Sequence, residues 1–233
     1  MGNSSFRFKQ FEVFHDRCAM KVGTDGVLLG AWTRPGDALR ILDVGTGSGL
    51  VALILAQHST AFVDGVELDA EAAVQAAENV AVSPWNERMH IYETDFCRFS
   101  NGLYDLIVSN PPFFRESLKA PARERNQARH TDALSYEMLV HNAGRMLSSS
   151  GRLSVVLPAA SADDFDAICW QNKLYLSRRC DVVSVEGLEP KRVLLEFSRF
   201  RSGTERTKLI LETSSHKRTE EFTALTADLY LDK

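Results

Sequence analysis

Between the apolar run RILDV (40–44) and the helix-spaced run LVALILAQH (50–58) lies a loop of alternating glycines, Asp43-Val44-Gly45-Thr46-Gly47-Ser48-Gly49. A strand that turns directly into a helix over glycines sets backbone N–H groups and a helix N-terminus at the end of a sheet. Few architectures are compatible with it. The rest of the chain keeps the same rhythm. AFVDGVEL (61–68) reads as a strand and AEAAVQAAENVAV (70–82) as a helix. MHIYET (89–94) and YDLIVSN (104–110) read as strands, SYEMLVHNAGRML (135–147) as a helix and GRLSVVLP (151–158) as a strand. SADDFDAICWQ (161–171) reads as a helix capped by Ser161, and LYLSRRCDVVSV and KRVLLEFSRF as a terminal antiparallel pair. Strands separated by helices require crossover connections, so a doubly wound α/β fold is expected, with a mostly parallel sheet and helices on both faces. Ahead of this array, FKQFEVFHD alternates as an edge strand and TDGVLLGAW reads as a short helix, forming a lid or flank.

No repeat or Gly/Ser linker divides the 233 residues, so one domain over 1–233 is expected. Within it, 1–35 is the flank, 36–200 the core and 201–233 a basic C-terminal extension. No run approaches the roughly 20 apolar residues of a membrane span, and the opening MGNSSFRFKQFEVFHD lacks the apolar segment of an export signal. Cys18, Cys97, Cys169 and Cys180 form no C-x-x-C pair and the six histidines no ligand-like pairing. The expectation is a cytoplasmic protein, monomeric, with reduced thiols and no metal. The net charge of −4 argues against indiscriminate nucleic-acid binding, but two segments are basic. One carries Arg115, Lys119, Arg123, Arg125 and Arg129 against Glu116 and Glu124. The other carries Arg199, Arg201, Arg206, Lys208, Lys217 and Arg218 against Glu205 and Glu212. Either could be ordinary solvated surface or a phosphate-binding region.

A dinucleotide fingerprint G-x-G-x-x-G counted from Gly45 requires Gly or Ala at position 50, which is Leu50. The D-x-G-x-G-x-G form, with Asp43 at the strand tip, instead resembles the first motif of class I S-adenosylmethionine (SAM) methyltransferases. That resemblance implies a Rossmann-like, mostly parallel seven-stranded sheet with a terminal antiparallel strand, and a SAM site containing Asp43, Gly45 and Gly47, with Asn110 at its edge. It also implies that Glu67, in Gly65-Val66-Glu67-Leu68-Asp69, accepts both ribose hydroxyls and that Asp95, after the third strand, accepts from the adenine amino group. Ionised carboxylates suit both tasks because they only accept hydrogen bonds. Taken alone, Asp95 could equally be a helix cap or a surface acid.

The fourth strand ends in Ser109-Asn110-Pro111-Pro112-Phe113. Consecutive prolines remove two backbone donors and fix φ, so this turn presents acceptors rigidly. An exocyclic amine on an adenine ring is a poor nucleophile because its lone pair is delocalised. An Asn110 side-chain oxygen and a Pro111 carbonyl accepting its two N–H bonds would let the nitrogen pyramidalise, and Phe113 could stack on the base. In the methyltransferases it resembles, such a tetrad marks methylation of a nitrogen conjugated to a π system: adenine N6, cytosine N4, guanine N2 or a glutamine amide.

Further residues narrow the resemblance. Phe8-Lys9-Gln10-Phe11, the block Met20 to Trp32, the tetrad with Phe114, Ala128-Arg129-His130, Pro190-Lys191-Arg192-Val193-Leu194 and the tail Glu221 to Leu231 are similar to bacterial tRNA adenine-N6 methyltransferases. The similarity runs toward those acting on the adenine beside the anticodon, position 37, of a valine tRNA, and spans nearly the whole chain. It implies that Thr24 and Asp25 close the methionine end of the SAM pocket; as residues alone they could simply start a helix. The RNA-contact candidates are Arg115, Arg123, Arg125 and Arg129, which follow the tetrad, with Lys191 and Arg192 at a strand junction. The alternatives are a protein-glutamine N5 or rRNA guanine-N2 methyltransferase, and an RNA-binding protein on a non-catalytic methyltransferase scaffold. A nicotinamide dehydrogenase fits least.

Overall fold

The computed structural model describes residues 4–111 and 134–231. A hairpin of β1 (Ser5–Arg7) and β2 (Glu12–Phe14) precedes α1 (Thr24–Trp32). The array continues with β3 (Arg40–Val44), α2 (Leu50–Gln57), β4 (Phe62–Glu67), α3 (Ala70–Ala81), β5 (Met89–Glu93) and β6 (Tyr104–Ser109). After the tetrad come α4 (Tyr136–Met146), β7 (Leu147–Pro158), α5 (Ala162–Gln171), β8 (Tyr175–Val185), β9 (Arg192–Ser198), β10 (Glu205–Glu212) and α6 (Glu220–Leu225). Among the described residues no helix is long and apolar enough to cross a membrane.

The main sheet has the order β10-β8-β9-β7-β6-β3-β4-β5. The α/β class expected from the sequence holds, and β9 runs antiparallel to both β7 and β8. Two expectations need correction. The sheet has eight strands rather than seven, and the β8–β9 pair is not terminal, because β10 joins β8 in parallel at the edge. The segment expected to be a basic extension thus completes the sheet. Its ERTKLILE sequence places Glu205, Arg206 and Lys208 exposed along that edge, where charge discourages pairing with another chain. The flank's apolar alternation belongs to a separate two-stranded hairpin, not to an edge of the main sheet. Ser161 sits at the N-cap of α5 but its hydroxyl caps nothing; Ser135 and Asp69 do cap α4 and α3 with their side chains.

The strands bury both faces. Ile41, Val63, Leu106 and Val156 pack in one layer with Leu28, Leu53 and Ile54 of α1 and α2. Leu42, Val66, Ile107 and Val155 pack in the other with Leu139 and Val140 of α4 and Phe165 of α5. Helices α1 and α2 touch closely at Gly30, where a Cβ would stand 2.8 Å from Ile54 Cβ. The N-terminal hairpin closes on the C-terminal segment: Lys9 N–H donates to the Leu229 carbonyl (2.8 Å), and Phe8 stacks on Phe11 at 4.7 Å and on Tyr230 at 6.0 Å. After β2, Asn79 of α3 accepts from Phe14 N (2.9 Å) and donates to Phe14 O (2.8 Å), while Gln75 accepts from Arg17 N (2.8 Å).

The chain runs from β3 outward through β4 to β5, then returns to place β6 on the other side of β3. This reversal opens a crevice at the carboxyl ends of β3 and β6, which is where such sheets bind ligands.

Candidate active site

The crevice is a cleft of about 360 Å³ whose lining comes from three separate segments. Met20, Lys21, Gly23, Thr24, Asp25 and Gly26 belong to the approach to α1 and its first turn. Asp43 and the glycine loop come from the end of β3, and Asn110 from the end of β6. The loop folds back on β4, with Gly45 N and Thr46 N both donating to the Val66 carbonyl (2.9 and 3.1 Å). Gly45 and Gly47 adopt φ of +68° and +56°, and a Cβ on either would enter open space within the site rather than meet protein. These two positions therefore combine a left-handed backbone with open space beside a cleft lining.

Asp43 is buried and braces the loop. Its Oδ2 accepts from the Thr46 hydroxyl at 2.7 Å and from Ala52 N of α2 at 3.1 Å. Burial pushes its carboxyl up to about 7, against the two hydrogen bonds and with a smaller upward push from the Glu67 charge. Glu67, at the tip of β4, accepts from Gly47 N (2.8 Å) with one oxygen and from Leu68 N and Asp69 N (2.9 and 3.0 Å) with the other. It thereby fixes the far side of the loop. Asp95 lies two residues beyond the end of β5, outside the cleft lining, with one oxygen accepting from Cys97 N at 2.8 Å. That bond makes Asp95 a local turn former, a role neither sequence reading named, and its other oxygen stands 3.8 Å from Arg98 Nε.

Ser109, in register with Val44, donates its hydroxyl to the Val44 carbonyl at 2.8 Å and so fixes Asn110 beside the loop. Asn110 Oδ1 is buried, and no group among the described residues donates to it. Pro111 is buried; Pro112, Phe113, Arg115, Arg123, Arg125 and Arg129 lie outside the described residues.

Thr24 is the first residue of α1, whose N-cap is Gly23 without a side-chain bond, so Thr24 starts the helix rather than capping it. The Asp25 carboxylate accepts from Arg192 Nε at 2.8 Å, joining α1 to β9. Arg192 is therefore an ion-pair partner of a cleft residue, beyond its expected place among RNA contacts. Lys191 and Arg192 line a second hollow of about 300 Å³ whose wall, Thr24 and Asp25, is shared with the cleft. Much of the second basic segment is engaged internally. Arg199 donates to the carbonyls of Leu147 and Ser148 (3.2 Å each), Arg201 lies over the rings of Trp170 and Tyr175, and Arg218 over Phe222 and Tyr230.

The structure thus brings Thr24, Asp25, Asp43, Gly45, Gly47 and Asn110 into one cleft, with Glu67 and Asp95 at the two neighbouring strand ends. Sequence reasoning missed Met20 and Lys21, whose one signal was membership of the block that carries the family resemblance, and Asn79. The Asn79 amide donates to the Ser48 carbonyl at 2.8 Å and ties the glycine loop to the segment after β2. Among the described residues no group of three His, Cys, Asp or Glu could hold a metal.

The chain is similar to known proteins. The family model described as "Methyltransferase small domain" matches residues 22–162. A Bacteroides fragilis protein named tRNA1(Val) (adenine(37)-N6)-methyltransferase is 48% identical over 99% of both chains. Relatives of the same name from Phocaeicola vulgatus and Dickeya chrysanthemi are 47% and 46% identical, covering 100% and 97% of this chain and 100% and 94% of their own. Among solved structures, a predicted O-methyltransferase from Agrobacterium tumefaciens superposes with a TM-score of 0.70 at 20% identity, over 88% of this chain and 96% of that one. The T. thermophilus 16S rRNA N2 G1207 methyltransferase, solved with AdoMet and guanosine, gives 0.59 at 18% identity over 84% and 50%. At those identities the structures establish the fold alone. The chain belongs to the methyltransferase small domain family and, within it, to the group of tRNA1(Val) (adenine(37)-N6)-methyltransferases.

Proposed function

We propose that this protein transfers a methyl group from SAM to the exocyclic N6 of an adenine in tRNA, at position 37 of a valine tRNA, the target named for its relatives. The observation that carries the chemistry is the buried acceptor Asn110 Oδ1, without a donor among the described residues, at the wall of a glycine-lined cleft. The residues fit the donor: the open Cβ positions of Gly45 and Gly47 leave room for it, and Glu67 and Asp95 offer acceptors for its ribose and adenine. When bound, SAM supplies an electrophilic methyl group on a sulfonium.

The chain's own part is positioning. Asn110 Oδ1 accepts one N–H of the target amine and the Pro111 carbonyl accepts the other, which frees the nitrogen lone pair from the ring and turns it toward the cleft. Phe113 supplies a stacking face for the extruded base, with Pro112 stiffening the turn. Once substituted, the nitrogen is acidic enough to release its proton without a side-chain base. Asp43 is unsuited to that role, because its Oδ2 is committed to Thr46 and Ala52. Arg115, Arg123, Arg125 and Arg129 follow the tetrad directly in sequence and supply phosphate contacts, with Lys191 and Arg192 flanking the cleft. An anticodon-loop base is stacked but unpaired in a duplex sense, so extruding it costs less than opening a base pair. The protein acts as a cytoplasmic monomer.

The test is transfer of labelled methyl from SAM to unmodified total tRNA, followed by nucleoside analysis and mapping. N6-methyladenosine at position 37 is the expected product. Label in protein glutamine or in guanine N2 would replace the reading, and SAM binding without any transfer would leave a non-catalytic scaffold.

A further inference from the structure

We infer that Lys21 binds the carboxylate at the amino-acid end of the methyl donor, a role that rests on the cleft being the SAM site. Lys21 lies on a strap, residues 18–23, stretched between two fixed points. Before it, Phe14 and Arg17 are held by Asn79 and Gln75 of α3; after it, α1 begins at Thr24. Met20, Lys21 and Gly23 of this strap line the same cleft as Asp43, Gly45, Gly47 and Asn110.

Charge decides the assignment. The lining carries three charged side-chain types of residue, Lys21, Asp25 and Asp43, and Lys21 is the sole cation among the described lining residues. A lysine beside two carboxylates would ordinarily pair with one of them. Here Asp43 turns its Oδ2 to Thr46 and Ala52, and Asp25 accepts from Arg192. No hydrogen bond or ion pair among the described residues engages the Lys21 ammonium. The donor has two cationic centres, a sulfonium and an ammonium, and one anionic centre, its carboxylate. With both acids of the lining already engaged, the lysine is the one charged group there left for the donor, and it suits the anion. Glu67 and Asp95, both acceptors, stand at the ends of β4 and β5 for the nucleoside, which leaves the amino-acid end to the strap and the first turn of α1.

Two ligands that share the nucleoside separate this role from a structural one. S-adenosylhomocysteine carries the carboxylate, and 5′-methylthioadenosine lacks the whole amino-acid end. Titration calorimetry with each is run on wild type, Lys21→Met and Lys21→Arg. The expected result is a loss of about tenfold in affinity for S-adenosylhomocysteine in Lys21→Met, the scale of one charge-assisted hydrogen bond at a solvent-accessible site, with 5′-methylthioadenosine unchanged and Lys21→Arg recovering most of the loss. An equal loss for both ligands would mean that Lys21 only shapes the strap, and no loss for either would remove it from the site; both overturn the assignment. If Lys21→Met loses S-adenosylhomocysteine selectively while wild type transfers no methyl to RNA, the assignment stands and the substrate reading fails. Wild type that binds neither ligand overturns the SAM site itself and this role with it.

Discussion

Replacing Asp43 with Asn should make the protein more stable at neutral pH, and the gain should vanish in acid. The carboxyl is buried, and burial raises it from 3.8 to about 7. A difference of about three pH units at about 1.4 kcal/mol each means that ionising Asp43 in the fold costs about 4 kcal/mol. The sign follows from proton counts. Below about pH 4 the group is neutral whether folded or unfolded and contributes no difference. As pH rises from about 4 to about 7 the unfolded chain releases the proton while the folded chain keeps it, so stability falls; above about 7 both are ionised and the loss levels off. Both bonds to this side chain fall on Oδ2, from the Thr46 hydroxyl and Ala52 N. An Asn that places its carbonyl oxygen there keeps both, at a cost of about 1–3 kcal/mol if its buried NH2 finds no acceptor. Urea titrations of wild type and Asp43→Asn, at intervals from about pH 4 to about pH 8, should give stability differences that move by about 4 kcal/mol in favour of the variant across this window. A difference that stays constant with pH would refute the reasoning, because it would mean that Asp43 ionises in the fold as readily as in the unfolded chain.

Gly47→Ala puts a Cβ at φ +56° into the open space of the cleft. Strain of about 1–2 kcal/mol should lower the melting temperature slightly, while S-adenosylhomocysteine affinity falls at least about tenfold by calorimetry; unchanged affinity would place the donor elsewhere. Asn110→Ala should reduce methyl transfer to tRNA by about a hundredfold or more and leave S-adenosylhomocysteine affinity within about twofold, since the side chain's task is the target amine. Parallel loss of both would make it a donor-binding residue instead. Gly30→Ala brings a Cβ to 2.8 Å from Ile54 Cβ and Cγ2, so denaturant titration should show a loss of about 1–3 kcal/mol from overpacking between α1 and α2.

The parts legible from sequence are those where chemistry restricts residue type at a strand end. A left-handed turn beside a ligand calls for Gly45 and Gly47, and a rigid acceptor calls for Asn110 before prolines; the fold brings these together as expected. What sequence did not reveal depends on partners far away along the chain. Arg192 read as an RNA-contact candidate at a strand junction, yet its side chain pairs with Asp25, 167 residues distant. Arg199, Arg201 and Arg218 read as either solvated surface or a phosphate-binding region, whereas backbone carbonyls and aromatic rings engage them. Glu205 to Glu212 read as a solvated tail because an edge strand carries the same charges as a tail, and only pairing with β8 distinguishes the two. Composition records that a charge exists, and packing determines what the charge does.

The three walls of the cleft come from segments that have no local reason to meet, and each is fixed by a polar bond to a distant neighbour. Ser109 binds the end of β6 to β3, Asn79 binds the glycine loop to the strap's root, and Arg192 binds α1 to β9. With the walls thus satisfied, the one buried side-chain acceptor in the lining left without a donor, among the described residues, is Asn110 Oδ1. A buried acceptor without a donor costs about 1–3 kcal/mol, and a ligand that brings an N–H removes that cost. A ligand that brings an oxygen instead sets acceptor against acceptor and adds to it. On the proposed function, Asn110 Oδ1 therefore favours an exocyclic amine, as on adenine, over a ring carbonyl, as on hypoxanthine. On that proposal the atom that orients the nucleophile also selects the base, and the basic residues that follow the tetrad in sequence bring the RNA to it.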